Sequence, residues 1–216
     1  MEKLCMQSLF ITATNTDVGK THITLRLIEA LSAKGLSVGV FKPIETGVTH
    51  TAPDATILLK VCQKVNEHFK HLTPLDITAY TFELPAAPFC ADTQQTIKID
   101  TILAKYHELS KLCDILLVEG AGGLMVPITK DYSMIDLAQE LDAKVLLVTP
   151  SRLGCINDTL LSQEALKAQN IDFDWCVNLH ENKADFEKVT QPYYDAMFEN
   201  WWFFDEGIHN FIKNLI

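Results

Sequence analysis

Three short runs of the sequence set lysines, hydroxyls and a carboxylate beside glycines. The first, residues 10–21, reads F-I-T-A-T-N-T-D-V-G-K-T and ends in Gly19-Lys20-Thr21. Such a loop suits a phosphate when it opens a helix, because the first N–H groups point at the anion and the helix dipole adds attraction. Lys20 would then reach the β- and γ-phosphates, and the Thr21 hydroxyl would ligate Mg²⁺. The strict pattern also asks for a glycine five places before Gly19, where Thr14 stands. The second run is Lys42-Pro43-Ile44-Glu45-Thr46-Gly47, which presents Lys42 and Thr46 from a stiffened turn. The third is Glu119-Gly120-Ala121-Gly122-Gly123. A carboxylate at the end of a buried apolar strand is costly unless it is paired or ligates a metal, so Glu119 is a natural partner for an ion held by Thr21. The glycines after it let backbone approach a ligand closely. Asp54 reads either as a helix cap or as a second Mg²⁺ carboxylate, and the spacing leaves both open.

These residues need a frame to gather them. Apolar runs of strand length alternate with longer amphipathic segments. Residues 8–12 read as a strand and 20–34 as a helix, with Ile23, Leu27, Ala30 and Leu31 on one face and Gly35 just past its end. Strands are expected at 37–41, 77–82, 114–118, 143–149 and 173–178. Helices are expected at 54–64, 99–112, 133–141 (capped by Ser133 and Asp136) and 156–169. The run D-I-L-L-V at 114–118 is continuously apolar, as a sheet covered on both faces requires. The alternation implies an α/β chain with a mostly parallel, doubly wound sheet and helices on both faces. With the phosphate loop it implies a P-loop NTPase-like fold, read as a single domain over residues 1–216. Ligands of such sheets sit at the carboxyl ends of strands, and each of the three runs follows a strand.

The 216 residues are 48% apolar and 21% charged, enough to bury one core. A formal net charge of −10 argues against a nucleic-acid partner, while a local loop can still hold a nucleotide. No two of the six cysteines lie at C-x-x-C spacing, so reduced, buried thiols of a cytoplasmic protein are expected. Residues 1–5 lack a signal-peptide pattern, and no apolar run approaches ~20 residues, so no membrane span is expected. His68 and His71 read as solvated side chains, since no cysteine or carboxylate completes a metal site with them.

Together these residues resemble the dethiobiotin synthetases, ATP-dependent ligases of biotin synthesis. The family's loop, G-T-D-T-x-V-G-K-T, carries one residue more between its glycines than the strict pattern. Here it reads A-T-N-T-D-V-G-K-T, so Ala13 stands at the opening glycine, and Ala13 and Asn15 depart from the family. The family's K-P-x-x-[ST]-G matches residues 42–47, its V-E-G-A-G-G matches 118–123 at every position, and its L-G-x-[IL]-N matches Leu153-Gly154-Cys155-Ile156-Asn157. The similarity spans roughly residues 8–180.

The resemblance implies a reaction. CO₂ joins 7,8-diaminopelargonate as a carbamate, ATP phosphorylates it to a mixed anhydride, and the second amine closes a cyclic urea. Lys20, Lys42 and Thr16 would carry the chemistry. ATP would lie on Asp17, Val18, Gly19, Lys20, Thr21, His22, Asp54, Glu119, Gly120, Ala121, Gly122 and Asn178, with Mg²⁺ on Thr21, Asp54 and Glu119. Thr16, Lys42, Thr46 and Gly122 would hold the reacting end of the substrate. Leu153, Gly154 and Asn157 would take its tail carboxylate across the interface of a homodimer. Asn178 fits the position that reads adenine, but Asn178-Leu179-His180-Glu181 replaces the usual continuation. A later G-x-[IVL]-P is replaced by Glu199-Asn200-Trp201-Trp202-Phe203-Phe204, which implies a looser base pocket and reads as packing.

Three other classes share parts of the pattern. Asn182-Lys183-Ala184-Asp185 spells a guanine-reading N-K-x-D, but no D-x-x-G exists in the chain. A partner-regulated, partitioning-type ATPase is the main alternative, although its signature lysine falls where Asn15 stands. An amide-forming synthetase of cobalamin type would need a glutaminase domain for which 216 residues leave no room.

Overall fold

The computed structural model describes residues 7–180 and 183–216. Residues 1–5, Glu181 and Asn182, named above, lie outside the described residues. The chain opens with β1 (Gln7–Ala13), the loop, and α1 (Lys20–Ser32). Ile23, Leu27 and Leu31 are fully buried on the expected face, each leucine worth about 1.5–3 kcal/mol on transfer from water. Gly35, in the left-handed region at φ 86°, ends this helix, and its N–H bonds Ser32 O at 2.8 Å.

Next come β2 (Val38–Phe41), β3 (Ile44–Thr46), α2 (Pro53–Val65), β4 (Tyr80–Phe82), α3 (Pro88–Ala91) and α4 (Ile99–Ser110). The strand expected at 77–82 is shorter and stands off the main sheet. β4 pairs in parallel with β3 as a two-stranded flap, because the turn at Pro43 carries the chain out of the sheet. The chain continues through β5 (Ile115–Gly123), the antiparallel pair β6 (Pro127–Thr129) and β7 (Tyr132–Ser133), then α5 (Met134–Glu140) and β8 (Lys144–Pro150). β5 runs through the glycines after Glu119, where the sequence suggested the strand had ended. The expected cap is present: Ser133 N and Oγ both donate to Asp136 Oδ2, at 2.7 and 2.6 Å. After α6 (Cys155–Ala168) and β9 (Phe173–Asn178), α7 (Lys183–Asp185) passes through a π-helical stretch, Phe186–Thr190, into α8 (Gln191–Met197). The described chain closes with β10 (Trp202–Phe203) and α9 (Phe204–Leu215).

The main sheet has the order β10-β9-β8-β1-β5-β2 and is parallel throughout. β1 is central, with Phe10 opposite Val118 on β5 and Val145 on β8. The chain fills the β2 side first and the β8 side later, so the direction of winding reverses beside β1. That reversal opens a crevice at the carboxyl ends of the strands. The Trp201–Phe204 run packs as expected, Trp201 stacking on Trp175 and Trp202 on Phe211. Cys62, Cys155 and Cys176 are buried, but Cys113 is only partly covered and Cys90 is exposed, contrary to the expectation of buried thiols. Among the described residues no helix is long and apolar enough to cross a membrane.

Candidate active site

The loop between β1 and α1 wraps the crevice with two residues in the left-handed region, Asp17 at φ 59° and Gly19 at φ 96°. A side chain at Gly19 would be strained by that backbone and would also run into the Asn178 amide. Asn178 Nδ2 in turn donates to Val18 O at 2.8 Å, so the end of β9 braces the loop. At the other flank, a Cβ on Gly123 would stand 3.1 Å from Thr14 O and 3.2 Å from Ala13 O. The V-E-G-A-G-G glycine therefore allows β5 to lie against the start of the loop.

Glu119 is wholly buried and accepts from three side chains. Lys42 Nζ stands 2.7 Å from its Oε1, Thr21 Oγ1 is 2.9 Å from the same oxygen, and Thr24 Oγ1 is 2.7 Å from Oε2. Lys42 also pairs with Asp54 Oδ2 at 2.8 Å. One ammonium thus lies between two carboxylates delivered by different elements, β5 and α2. Burial alone would pull the Lys42 pKa down; Glu119 and Asp54 outweigh burial and hold it above the ordinary lysine value. Lys20, also buried, points back along its own loop and donates to Asn15 O at 3.1 Å. Burial first, and the Lys42 charge next, bring its pKa from 10.5 down to about 8. The two lysines therefore differ in kind: Lys42 is neutralised by acids, and Lys20 is short of a counter-charge.

A cavity of about 580 Å³ opens over this cluster. It is lined by Thr16, Asp17, Gly19, Lys20, Thr21, Lys42, Thr46, Asp54, Ala121 and Gly122 among the expected residues. Pro85, Ala86, Ala87 and Pro88 add an apolar wall. Val18, His22, Gly120, Glu119 and Asn178 do not line the cavity; Val18, Gly120, Glu119 and Asn178 are buried around it and His22 is exposed. Leu153, Gly154 and Asn157 are apart from it and exposed, Leu153 to 94%.

Sequence reasoning missed Thr24 and Glu45. Thr24 sits on the apolar face of α1, where a threonine reads as filler. Glu45 is buried at 3% exposure, and its two oxygens accept the N–H groups of Asp54 and Ala55 at 2.7 and 3.0 Å. A glutamate in a three-residue strand leaves no periodic signal of that task. The donor set around Lys42 consists of hard oxygens, Thr21 Oγ1 and the Asp54 and Glu119 carboxylates, which suit Mg²⁺. Among the described residues no group of three or more histidines, cysteines and acids gathers, so this set would need phosphate oxygens to complete it.

A family model described as an AAA domain matches residues 7–189. The chain is 69% identical over 210 residues to "ATP-dependent dethiobiotin synthetase BioD" of Sulfurovum sp. (strain NBC37-1), covering 97% of this chain and 100% of that one. It is 37% identical over 214 residues to the protein of the same name from Wolinella succinogenes, covering 98% and 99%. Among solved structures, a plasmid partition protein from Borrelia burgdorferi matches with a TM-score of 0.60 at 10% identity, covering 97% of this chain and 99% of that one. The ParA family ATPase from Chlorobium tepidum TLS matches at 0.53 and 12%, covering 91% and 84%. The structural matches show a shared fold alone, whereas the sequence matches run through all four strand-end motifs, and by them the chain belongs to the ATP-dependent dethiobiotin synthetases.

Proposed function

We propose that this chain uses ATP to close a cyclic urea on 7,8-diaminopelargonate with CO₂, giving dethiobiotin, ADP and phosphate. The observation that carries the reading is the gathering of Lys20, Thr21, Lys42 and Asp54 around one cavity at the ends of β1 and β2, with the buried Glu119 of β5 bonded to Lys42 and Thr21. Negative charge builds between the γ-phosphate and the carbamate, so cations fixed there in advance lower the barrier. Lys20 serves the β- and γ-phosphates, and Lys42 turns to the reacting oxygens. Thr21, Asp54 and Glu119 are the residues that would hold Mg²⁺, which when bound shields the phosphate charge. Thr16 and Thr46, which both line the cavity, take the carbamate and amine end. No covalent enzyme intermediate is required; placement supplies the rate.

The tail carboxylate goes to Leu153, Gly154 and Asn157 of a second copy, since these residues are exposed and apart from the cavity of their own chain. The nucleotide base is held less selectively than in relatives with the proline-bearing segment, because packed aromatics take its place. The direct test is ADP release with Mg-ATP and bicarbonate, with and without 7,8-diaminopelargonate. Release is expected only with the diamine. Equal release without it, or none with it, would overturn the reading and favour a partner-driven ATPase.

Lys20 gives a pH dependence. Its pKa of about 8 in the free protein means that it carries less than its full proton above that pH. A bound polyphosphate favours the ammonium, so binding takes up a proton. The Kd for ATP in EDTA is expected to rise as pH increases above about 8, toward about tenfold per unit. For the free protein the sign is opposite: a depressed lysine costs stability below pH 8, and that cost fades between 8 and 10.5. Calorimetry in buffers of different ionisation heat reads the proton uptake. A flat Kd from pH 7 to 10 would remove Lys20 from the phosphates.

A further inference from the structure

Helix α2 begins without a cap of its own. Its N-cap residue is Ala52, which has no side-chain acceptor, and Pro53 follows with no N–H. The first intrahelical bond closes at Thr56 N to Ala52 O, 2.9 Å. Two donors are then left free in the first turn, those of Asp54 and Ala55. Both are taken by one carboxylate from another element. Glu45, on β3, accepts Asp54 N on Oε1 at 2.7 Å and Ala55 N on Oε2 at 3.0 Å. A charged acceptor at a helix N-terminus makes strong bonds and suits the dipole. β3 is itself fixed, with Glu45 opposite Thr81 in its pairing with β4.

The residue held by this two-point clamp is Asp54, whose carboxylate shares the Lys42 ammonium with Glu119. Asp54 stands at the very start of its helix and its side chain is 39% exposed. Packing does little to fix it; the ion pair with Lys42 and the position of its backbone do. Glu45 also lines the cavity, but both of its oxygens are turned to the backbone of α2.

We propose that Glu45 is a positioning residue for the metal site: by satisfying the two free N–H groups of α2 it fixes the backbone of Asp54, and so sets divalent-cation affinity without touching the cation. The proposal rests on the reading of Asp54 as a metal carboxylate. It makes Glu45 distinct from a general stabiliser, because the phosphate loop is carried by β1 and α1, whereas the clamp holds the start of α2.

The test uses the full chain and three variants, Glu45→Ala, Glu45→Gln and Asp54→Ala. Backbone amide exchange at Asp54 and Ala55 reads the clamp, and electron paramagnetic resonance of free Mn²⁺, with ATP present, reads the cation. In Glu45→Ala both amides are expected to lose protection, and the Mn²⁺ Kd to rise about tenfold or more, the usual scale for residues behind a metal ligand. ATP binding in EDTA is expected to change less than about twofold on that same logic. Glu45→Gln keeps the shape and one acceptor, so it should fall between, and it carries the test if Glu45→Ala does not fold. Unchanged Mn²⁺ affinity in a Glu45 variant, with Asp54→Ala weakened, overturns the proposal and leaves the metal reading standing. An equal loss of metal-free ATP binding also overturns it, since that is general damage. Unchanged affinity in Asp54→Ala overturns both.

Discussion

Replacing Lys42 with alanine is expected to slow ADP formation about a thousandfold, while the Kd for ATP stays within about tenfold. The split follows from where the ammonium sits. Lys42 does not belong to the phosphate loop; it comes from the end of β2 and reaches the carboxylates of Asp54 and Glu119 at 2.8 and 2.7 Å. Its pKa is held up by those acids, so it is charged across the range in which an assay is practical. On the proposed reading, ground-state binding of nucleotide rests on the loop amides and Lys20. What the variant loses is a cation already placed where charge develops, and that loss falls on the chemical step. A second readout separates this from simple damage. With Lys42 gone, Asp54 and Glu119 face each other without a cation, so Mg²⁺ alone should raise the Tm of the variant more than that of the native protein. Single-turnover ADP formation and thermal unfolding with and without Mg²⁺ check both halves. A variant within tenfold of the native rate would take Lys42 out of the reaction.

Much of this site was legible because parallel strands write themselves as unbroken apolar runs. I-L-L-V ends at Glu119 and S-V-G-V-F ends at Lys42, and a strand's end is where such a sheet exposes chemistry. Asp54 was found as an acid opening a helix, although spacing could not tell a cap from a ligand. The structure shows a cap from elsewhere: Glu45 takes the N–H groups of Asp54 and Ala55, and the Asp54 carboxylate meets Lys42. Neither Glu45 nor Thr24 could be read from pattern. Each is a polar residue on an inward face, and its meaning depends on a partner 9 and 95 residues away along the chain, respectively. Asn178 is similar. The sequence placed it at a strand end, but its bond to Val18 O needs the loop to fold back onto β9. The off-sheet position of β4 was hidden for another reason, since its extended backbone bonds a three-residue partner that only the turn at Pro43 creates.

Glu119 should show the largest combined loss of stability and function. Glu119→Ala is expected to cost about 3–5 kcal/mol of folding free energy, because it strips a buried cation of one of its partners. Lys42 is 3% exposed and Glu119 0%, so the loss leaves a largely buried ammonium with Asp54 as its remaining carboxylate. Thr21 and Thr24 lose an acceptor in the same step, but unequally. Thr24 Oγ1 also lies 2.9 Å from Lys20 O and can turn its single hydrogen there. That spare acceptor makes Glu119→Gln the informative variant. The amide nitrogen can face Thr24, whose oxygen is then free to accept, and the amide oxygen can stay toward Lys42 and Thr21. Glu119→Gln is therefore expected to lose only about 1–3 kcal/mol, the scale of an imperfect buried hydrogen bond. Its turnover should still fall about a thousandfold, since the charge that balances Lys42 and would face Mg²⁺ is gone. Urea unfolding at equilibrium gives the first numbers and diamine-dependent ADP release the second. If the glutamine variant keeps its activity, the Glu119 charge serves the fold alone, and Asp54 and Thr21 must hold the cation without it.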